Sequence, residues 1–302
     1  MDHLEELETL AVSLGCEARR DEPMSRHTTF QIGGPADLFI TARSRPDLQK
    51  LCGKAAGLEI PVFPLGNGSN LLVRDAGLRG VVIAFGGELK QISLCGETML
   101  ECGAGASLAS VCNFAKNRAL TGLEFAWGIP GSVGGAAFMN AGAYDHCVSE
   151  AIAACSHVAK DGGYGEFKGE ALDFGYRHSA YSGRKYLITG VRILLKHGNM
   201  DDIAARMEEL YGRRKAKQPL EMPSAGSVFK RPEGRFAGAL IEQCGLKGRR
   251  VGGAAVSEKH AGFIVNLGGA TCADVQALIA LIQETVFRET GVRLECEVQL
   301  AG

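Results

Sequence analysis

An α+β or α/β fold is what this chain of 302 residues predicts, and three observations bear on it. Apolar residues recur at i, i+3, i+4 and i+7 in several stretches, with short apolar runs of strand character between them. Hydrophobic residues make up 46% of the chain, the share of an ordinary globular protein whose core needs no metal or disulfide staple. Glycine, at 41 residues, is about twice its usual ~7% share with no Gly-X-Y period, so collagen is excluded. Those glycines serve turns, or loops that bring bare backbone against a ligand.

The elements follow in order. Leu4, Leu7, Leu10 and Ala11 share one side of a short N-terminal helix. A strand is expected around Gln31 to Ala42. Ser44 then caps a helix that has Pro46 in its first turn and Leu48, Leu51, Cys52 and Ala55 on its inner face. Ile60 to Leu65 is a short apolar strand running into Gly66-Asn67-Gly68-Ser69-Asn70, and Val81 to Phe85 and Met99 to Cys102 are further strands. Ser107 caps a helix facing inward through Leu108, Val111, Cys112 and Ala115. The uncharged stretch from Phe125 to Tyr144 holds Pro130, Ser132, Asn140 and several glycines. Too polar for a lipid-facing helix, it reads as loop-rich. Val148 to Val158 and Tyr186 to Leu195 are strands on either side of the turn Asp161-Gly162-Gly163. After a composition change near Lys196 to Asn199 comes a helix with Ile203, Met207 and Leu210 inward and a basic end, Arg213 to Lys217. Thr271 and Asp274 open the last helix, and the alternation from Val292 to Leu300 predicts a half-buried strand.

Charge and cysteine usage narrow the function. Basic and acidic residues number 33 and 34, for a net charge of −1, unlike a nucleic-acid coat. The ten cysteines include no C-x-x-C pair, the seven histidines lack metal spacing, and no metal site is expected. Asp2, Glu5, Glu6 and Glu8 have the wrong sign for a secretory leader, so a cytoplasmic protein without a membrane segment is expected.

Two glycine loops are the strongest physical signals. Gly66 to Asn70 and Gly131 to Ala136 each offer backbone N–H groups that can cradle a phosphate. No P-loop pattern occurs, and Gly66-x-Gly68 and Gly103-x-Gly105 both lack the third glycine of the dinucleotide fingerprint, because Leu71 and Leu108 stand there. Plain tight turns explain one such loop better than a phosphate cradle does, and two in one half, one with Pro130 fixing the backbone, bring the two readings level. Arg177 suits a forked grip on a carboxylate or phosphate, though composition alone reads it as an exposed turn arginine. Ser227 suits proton donation or an ordinary turn, and the alternation puts Glu297 on a polar face with Arg293, Glu295 and Gln299.

Several separate motifs, from about His27 to the C-terminus, together resemble the UDP-N-acetylenolpyruvoylglucosamine reductase family. They are His27-Thr28-Thr29-Phe30 with Ile32 to Ala36, Leu65 to Asn70, Gly128 to Ala136, Tyr176-Arg177, Ala225 to Lys230, Gly245 to Gly248 and Leu294 to Val298. The resemblance implies a two-part FAD-binding region of the vanillyl-alcohol-oxidase type followed by a small α+β substrate domain. In this chain those parts are expected at 21–198 and 199–302, after an N-terminal helix within 1–20. It implies that NADPH reduces FAD, which then reduces a UDP-sugar enolpyruvyl ether in peptidoglycan precursor synthesis. FAD is expected to be non-covalent, held by Gly66, Asn67, Gly68, Ser69, Asn70, Ile129, Pro130, Gly131, Ser132, Gly134, Gly135, Ala136 and Gly142. Arg177 and Glu297 are implied at the substrate carboxylate, Ser227 as proton donor, and Tyr176, Lys217 and Lys230 as further substrate contacts. The chain resembles the family's shorter form, without the insert that carries a mobile tyrosine, and Arg231 stands where some relatives have asparagine. A monomer without nucleic-acid or membrane partners is expected. Two alternatives are a different oxidase or dehydrogenase on the same flavin fold, and a non-catalytic nucleotide-binding module.

Overall fold

The computed structural model describes residues 3–302, so Met1 and Asp2 of the expected first helix lie outside the described residues. Seven α-helices form: α1 His3–Ser13, α2 Arg45–Gly57, α3 Leu108–Lys116, α4 Val133–Met139, α5 Met200–Lys217, α6 Ala237–Gln243 and α7 Cys272–Thr290. Their starts follow the local chemistry. Ser44 accepts from Asp47 N–H, Ser107 from Ser110 N–H, and Thr271 with Asp274 closes a capping box.

The chain divides into two compact units, each assembled from separate segments. The first comprises residues 1–20, 38–67 and 80–212, and the second 21–37, 68–79 and 213–302. Residues 21–37 and 68–79 therefore pack with the C-terminal third, which a boundary near 198 did not anticipate. The first unit holds an antiparallel five-stranded sheet in the order Tyr164–Lys168, Ile152–Ala159, Tyr186–Leu194, Met99–Gly103, Ile92–Cys95. Helices α3 and α4 and the buried face of α5 (Ile203, Met207, Leu210) share a core with it. A four-stranded sheet runs Glu17–Pro23, Pro35–Ala42, Leu78–Phe85, Val62–Leu65, its last pair parallel. In the second unit Ser224–Ser227, Phe263–Asn266, Ala254–Val256 and Arg250–Val251 form an antiparallel sheet sharing a core with α6 and α7.

Four expectations are corrected. The stretch read as loop contains α4, started by the Ser132 cap despite two glycines in its first turn. The strand expected from Val148 begins at Ile152, after a single 3₁₀ turn. Glu17–Pro23 and Tyr164–Lys168 are strands the periodicity missed. Both are edge strands, where charged side chains are tolerated because one side has no neighbour. The predicted strand from Val292 survives only as Gln299–Ala301. Glu297 and Val298 N–H both turn to the Val228 carbonyl, at 2.7 and 3.3 Å, which breaks the alternation and leaves Leu300 exposed and Ala301 buried.

An aromatic knot ties the five-stranded sheet to the turn after Arg177. Tyr181, fully buried, donates its hydroxyl to the Cys155 carbonyl at 3.0 Å, and His157 Nδ1 lies 3.0 Å from the same oxygen. Because the hydroxyl proton is committed, Nδ1 must carry the proton of the neutral ring. Burial pushes His157 below the ordinary histidine range. The unfolded chain therefore takes up the proton first as the pH falls. Stability from the neutral ring is complete above ~6.5 and is lost below it. His157→Asn, which keeps a donor but does not titrate, is expected to flatten the fall in Tm between pH 8 and 5. An unchanged slope in a melting series would refute the assignment.

Candidate active site

The Gly66 loop leaves the strand Val62–Leu65 and meets the second glycine loop within the first unit, since a Cβ on Gly66 would overlap the Ser132 hydroxyl. Ser132 is buried and caps α4 by accepting Gly135 N–H at 3.2 Å. The segment Gly131–Gly134 is laced to a third turn: Leu108 N–H bonds Gly131 O, Val133 N–H bonds Ala106 O, and Gly134 N–H bonds Ala104 O. A Cβ on Gly134 would stand 2.7 Å from the Ala104 Cβ. Gly134 is thus demanded by packing against Ala104, and Gly66 by the buried Ser132 hydroxyl. Gly68 has φ +60, and a Cβ there would overlap the His27 carbonyl. Its own carbonyl accepts Thr29 N–H at 3.2 Å, so the trans peptide points the Ser69 N–H to the opposite side. Residues 66–70 and 129–136 contain no carboxylate. A diphosphate would therefore meet backbone N–H, hydroxyl and amide groups with no like charge among them, which fits the expected cofactor.

Arg177 sits at φ +55 in the tight turn closed between Gly175 and His178. Its Nη1 and Nη2 donate to the Asn140 and Gly142 carbonyls at 3.4 and 3.5 Å. Asn140 is the left-handed cap of α4 (φ 43), and its Nδ2 donates to Gly175 O at 2.9 Å. Arg177 is thus anchored at the far end of a seven-residue helix, about 10 Å long, that begins at Ser132. The exposed Tyr176 ring lies 5.1 Å from its guanidinium carbon. Gly142, expected as a cofactor contact, serves here as an acceptor for Arg177. Only the strands Tyr186–Leu194 and Lys196–His197 separate this turn from α5, as expected for a chain without the tyrosine insert.

Ser227 and Glu297 come together in the second unit. Ser227 ends a strand broken by Gly226 at φ +75, and its Oγ donates to Phe229 O at 3.2 Å. The next residue, Val228, accepts Glu297 N–H. Glu297 is half-buried, unlike the exposed Arg293 and Glu295 with which the alternation grouped it. Asn70, expected at the cofactor, donates its side-chain amide to the Glu297 carbonyl at 3.1 Å. Lys230 ion-pairs with Glu295 at 3.3 Å, and Lys217 is exposed at the end of α5. Arg214 in the same basic run is buried with Nη1 3.5 Å from Gln218 Oε1, so that run is not one solvated face. His260, near Ser227, carries no sequence signature. Among the described residues no three His, Cys, Asp or Glu side chains are grouped to hold a metal. Burial pushes Cys52, Cys102, Cys112 and Cys155 up to about 12, far from reactive thiolates.

A family model described as "FAD binding domain" matches residues 36–164, which contain both glycine loops. A second, described as "UDP-N-acetylenolpyruvoylglucosamine reductase, C-terminal domain", matches residues 218–301, which contain Ser227 and Glu297. UDP-N-acetylenolpyruvoylglucosamine reductase of Clostridium botulinum is 49% identical over 93% of this chain and 92% of its own. That of Syntrophomonas wolfei is 44% identical over 93% and 94%. The crystal structure of the Thermus caldophilus reductase superposes with a TM-score of 0.82 at 38% identity, covering 95% of this chain and 99% of that one. The glucose dehydrogenase Phl p 4 matches over 97% of this chain and 64% of its own, with a TM-score of 0.52 at 12% identity, a likeness of fold alone. Such coverage at both ends, with the glycine loops in one matched part and Ser227 and Glu297 in the other, places this chain in the UDP-N-acetylenolpyruvoylglucosamine reductase family.

Proposed function

We propose that this protein reduces UDP-N-acetylglucosamine enolpyruvate to UDP-N-acetylmuramate with NADPH and FAD, a step of peptidoglycan precursor synthesis. The observation that carries the proposal is the 2.7 Å main-chain hydrogen bond from Glu297 N–H to the carbonyl of Val228, the residue next to Ser227. A binding module needs neither the serine hydroxyl nor the glutamate carboxyl on residues joined in this way. The loops 66–70 and 129–136 hold the FAD diphosphate. When bound, FAD supplies a hydride to the enolpyruvyl methylene carbon and is recharged by NADPH.

The chain's own residues handle the charge and the proton. Arg177 presents a planar fork to the substrate carboxylate, beside which negative charge gathers. Glu297 works on the same developing charge. Ser227 Oγ delivers the proton to the neighbouring carbon, and Tyr176, Lys217 and Lys230 add contacts to the carboxylate and diphosphate. Residues 21–198 serve chiefly the flavin and 199–302 the substrate. We place the reaction in the cytoplasm, carried out by a monomer. Ten free cysteines suit a reducing compartment, and no helix among the described residues is long and apolar enough to cross a membrane.

The purified protein is expected to show a flavin spectrum whose chromophore leaves as FAD on heat denaturation. Protein that stays colourless after FAD is added would overturn the reading. Arg177→Lys, which keeps the charge and loses the fork, is expected to lower kcat/KM by about 100-fold. Unchanged kcat/KM in steady-state assays would remove Arg177 from the carboxylate.

A further inference from the structure

Resting on the roles proposed above for Ser227 and Glu297, we infer that His260 is a positioning residue whose imidazole holds the main-chain ladder carrying both. Gly262 donates its N–H to His260 Nδ1 at 3.1 Å. The Gly262 carbonyl accepts Val228 N–H at 2.9 Å, and the Val228 carbonyl accepts Glu297 N–H at 2.7 Å. Three hydrogen bonds in series thus lead from the ring, past the peptide that follows Ser227, to Glu297. The bonds are joined through the Cα atoms of Gly262 and Val228, so a displacement at the ring is carried along the main chain to Glu297.

The site needs such a brace. Regular pairing with Phe263–Asn266 is interrupted between Ser224 and Ser227, where Gly226 takes φ +75. The ring is closely boxed: a Cβ on Gly238 would stand 3.2 Å from its Cε1, and one on Gly262 3.0 Å from the same atom. That Gly262 position is also 3.4 Å from Ser227 Oγ. Phe263 meets the ring edge-on at 5.0 Å, and Ser257 Oγ accepts His260 N–H at 3.3 Å.

A donor aimed at Nδ1 requires a lone pair there, so only the neutral tautomer with its proton on Nε2 fits. Protonating Nδ1 sets donor against donor and releases Gly262, then Val228. Burial first, and the Lys247 and Lys217 ammonium groups, hold the ring below the ordinary histidine value, against a hydrogen bond to its own main chain and the Glu242 carboxylate on α6. The ladder is therefore intact at neutral pH and weakens only when the pH falls below the ordinary histidine range.

The test mixes reduced holoenzyme with the enolpyruvyl substrate in single turnovers across pH 5–8, for wild type, His260→Asn and His260→Leu. Asparagine offers an acceptor near the Nδ1 position that does not titrate, and leucine offers none. His260→Leu is expected to slow flavin reoxidation about 10- to 100-fold while flavin reduction by NADPH stays within about twofold. His260→Asn is expected to lose the acid limb of the wild-type profile. Imidazole ¹⁵N shifts are expected to show Nδ1 unprotonated at pH 7, and amide exchange at Val228 and Glu297 to quicken in His260→Leu. Equal slowing of both half-reactions, a wild-type acid limb in His260→Asn, a protonated Nδ1 at pH 7, or unchanged amide exchange would each overturn the inference. If Ser227→Ala reoxidises normally, the proton-donor reading falls separately, and the ¹⁵N and exchange results still decide whether His260 holds the ladder.

Discussion

Ser227→Ala is expected to slow reoxidation of the reduced flavin by the enolpyruvyl substrate about 10²–10⁴-fold, the usual contribution of a positioned general acid. Reduction of the flavin by NADPH is expected to proceed at the wild-type rate, because that half-reaction needs no proton from the hydroxyl. The variant should also fold normally. Its Oγ makes a hydrogen bond to the Phe229 carbonyl at 3.2 Å, whose loss costs about 1 kcal/mol. Stopped-flow absorbance at the flavin band separates the two half-reactions. Normal reoxidation would transfer the proton donor's role to another group, and equal slowing of both halves would point to a distorted flavin site.

The second large effect is structural in origin and functional in readout. Gly68→Ala is expected to yield protein that binds FAD poorly and melts early. At φ +60 an alanine costs about 1–2 kcal/mol from backbone strain alone. Its Cβ would also overlap the His27 carbonyl and stand 2.9 Å from the Thr28 Cα, both main-chain atoms unable to swing aside. Gly57→Ala is the control, because Gly57 ends α2 with nothing within 4 Å of a Cβ. There alanine is expected to leave FAD content unchanged and raise stability by about 0.5–1 kcal/mol. Flavin-to-protein absorbance ratios and melting curves check both variants. A Gly68→Ala protein with full flavin and wild-type Tm would show that the loop tolerates another path.

Elements with strong local signals were legible before any coordinates. The caps Ser44, Ser107 and Thr271, followed by apolar residues at helical spacing, define α2, α3 and α7 because every interaction involved spans four residues or fewer. Helix α4 was illegible for the opposite reason. Glycines 134 and 135 argue against a helix locally, and Gly134 is needed only because Ala104 packs against it. The edge strand Glu17–Pro23 alternates exposed and covered positions, but Ala18, Arg20 and Glu22 fill the covered ones, so no apolar alternation marks it in the sequence. Of the site, the two glycine loops stood out as backbone chemistry. Arg177, Ser227 and Glu297 drew their roles from the joint order of the motifs.

What the sequence by itself determined is what short-range chemistry controls: helix starts, the turn at Asp161 to Gly163, the uncharged loops suited to a diphosphate, and the exclusion of a polycation. Tertiary structure decided which of those residues meet. Thr29 reaches the Ser224 carbonyl 195 positions away, and Asn70 reaches the Glu297 carbonyl 227 positions away. It also brought Val228 between the carbonyl of Gly262 and the N–H of Glu297, turned Arg177 onto the carbonyls at the end of α4, and placed His260 beneath the ladder. Such contacts leave no periodic mark, because a main-chain N–H or C=O is the same group in every residue but proline. Only the path of the whole chain selects its partner.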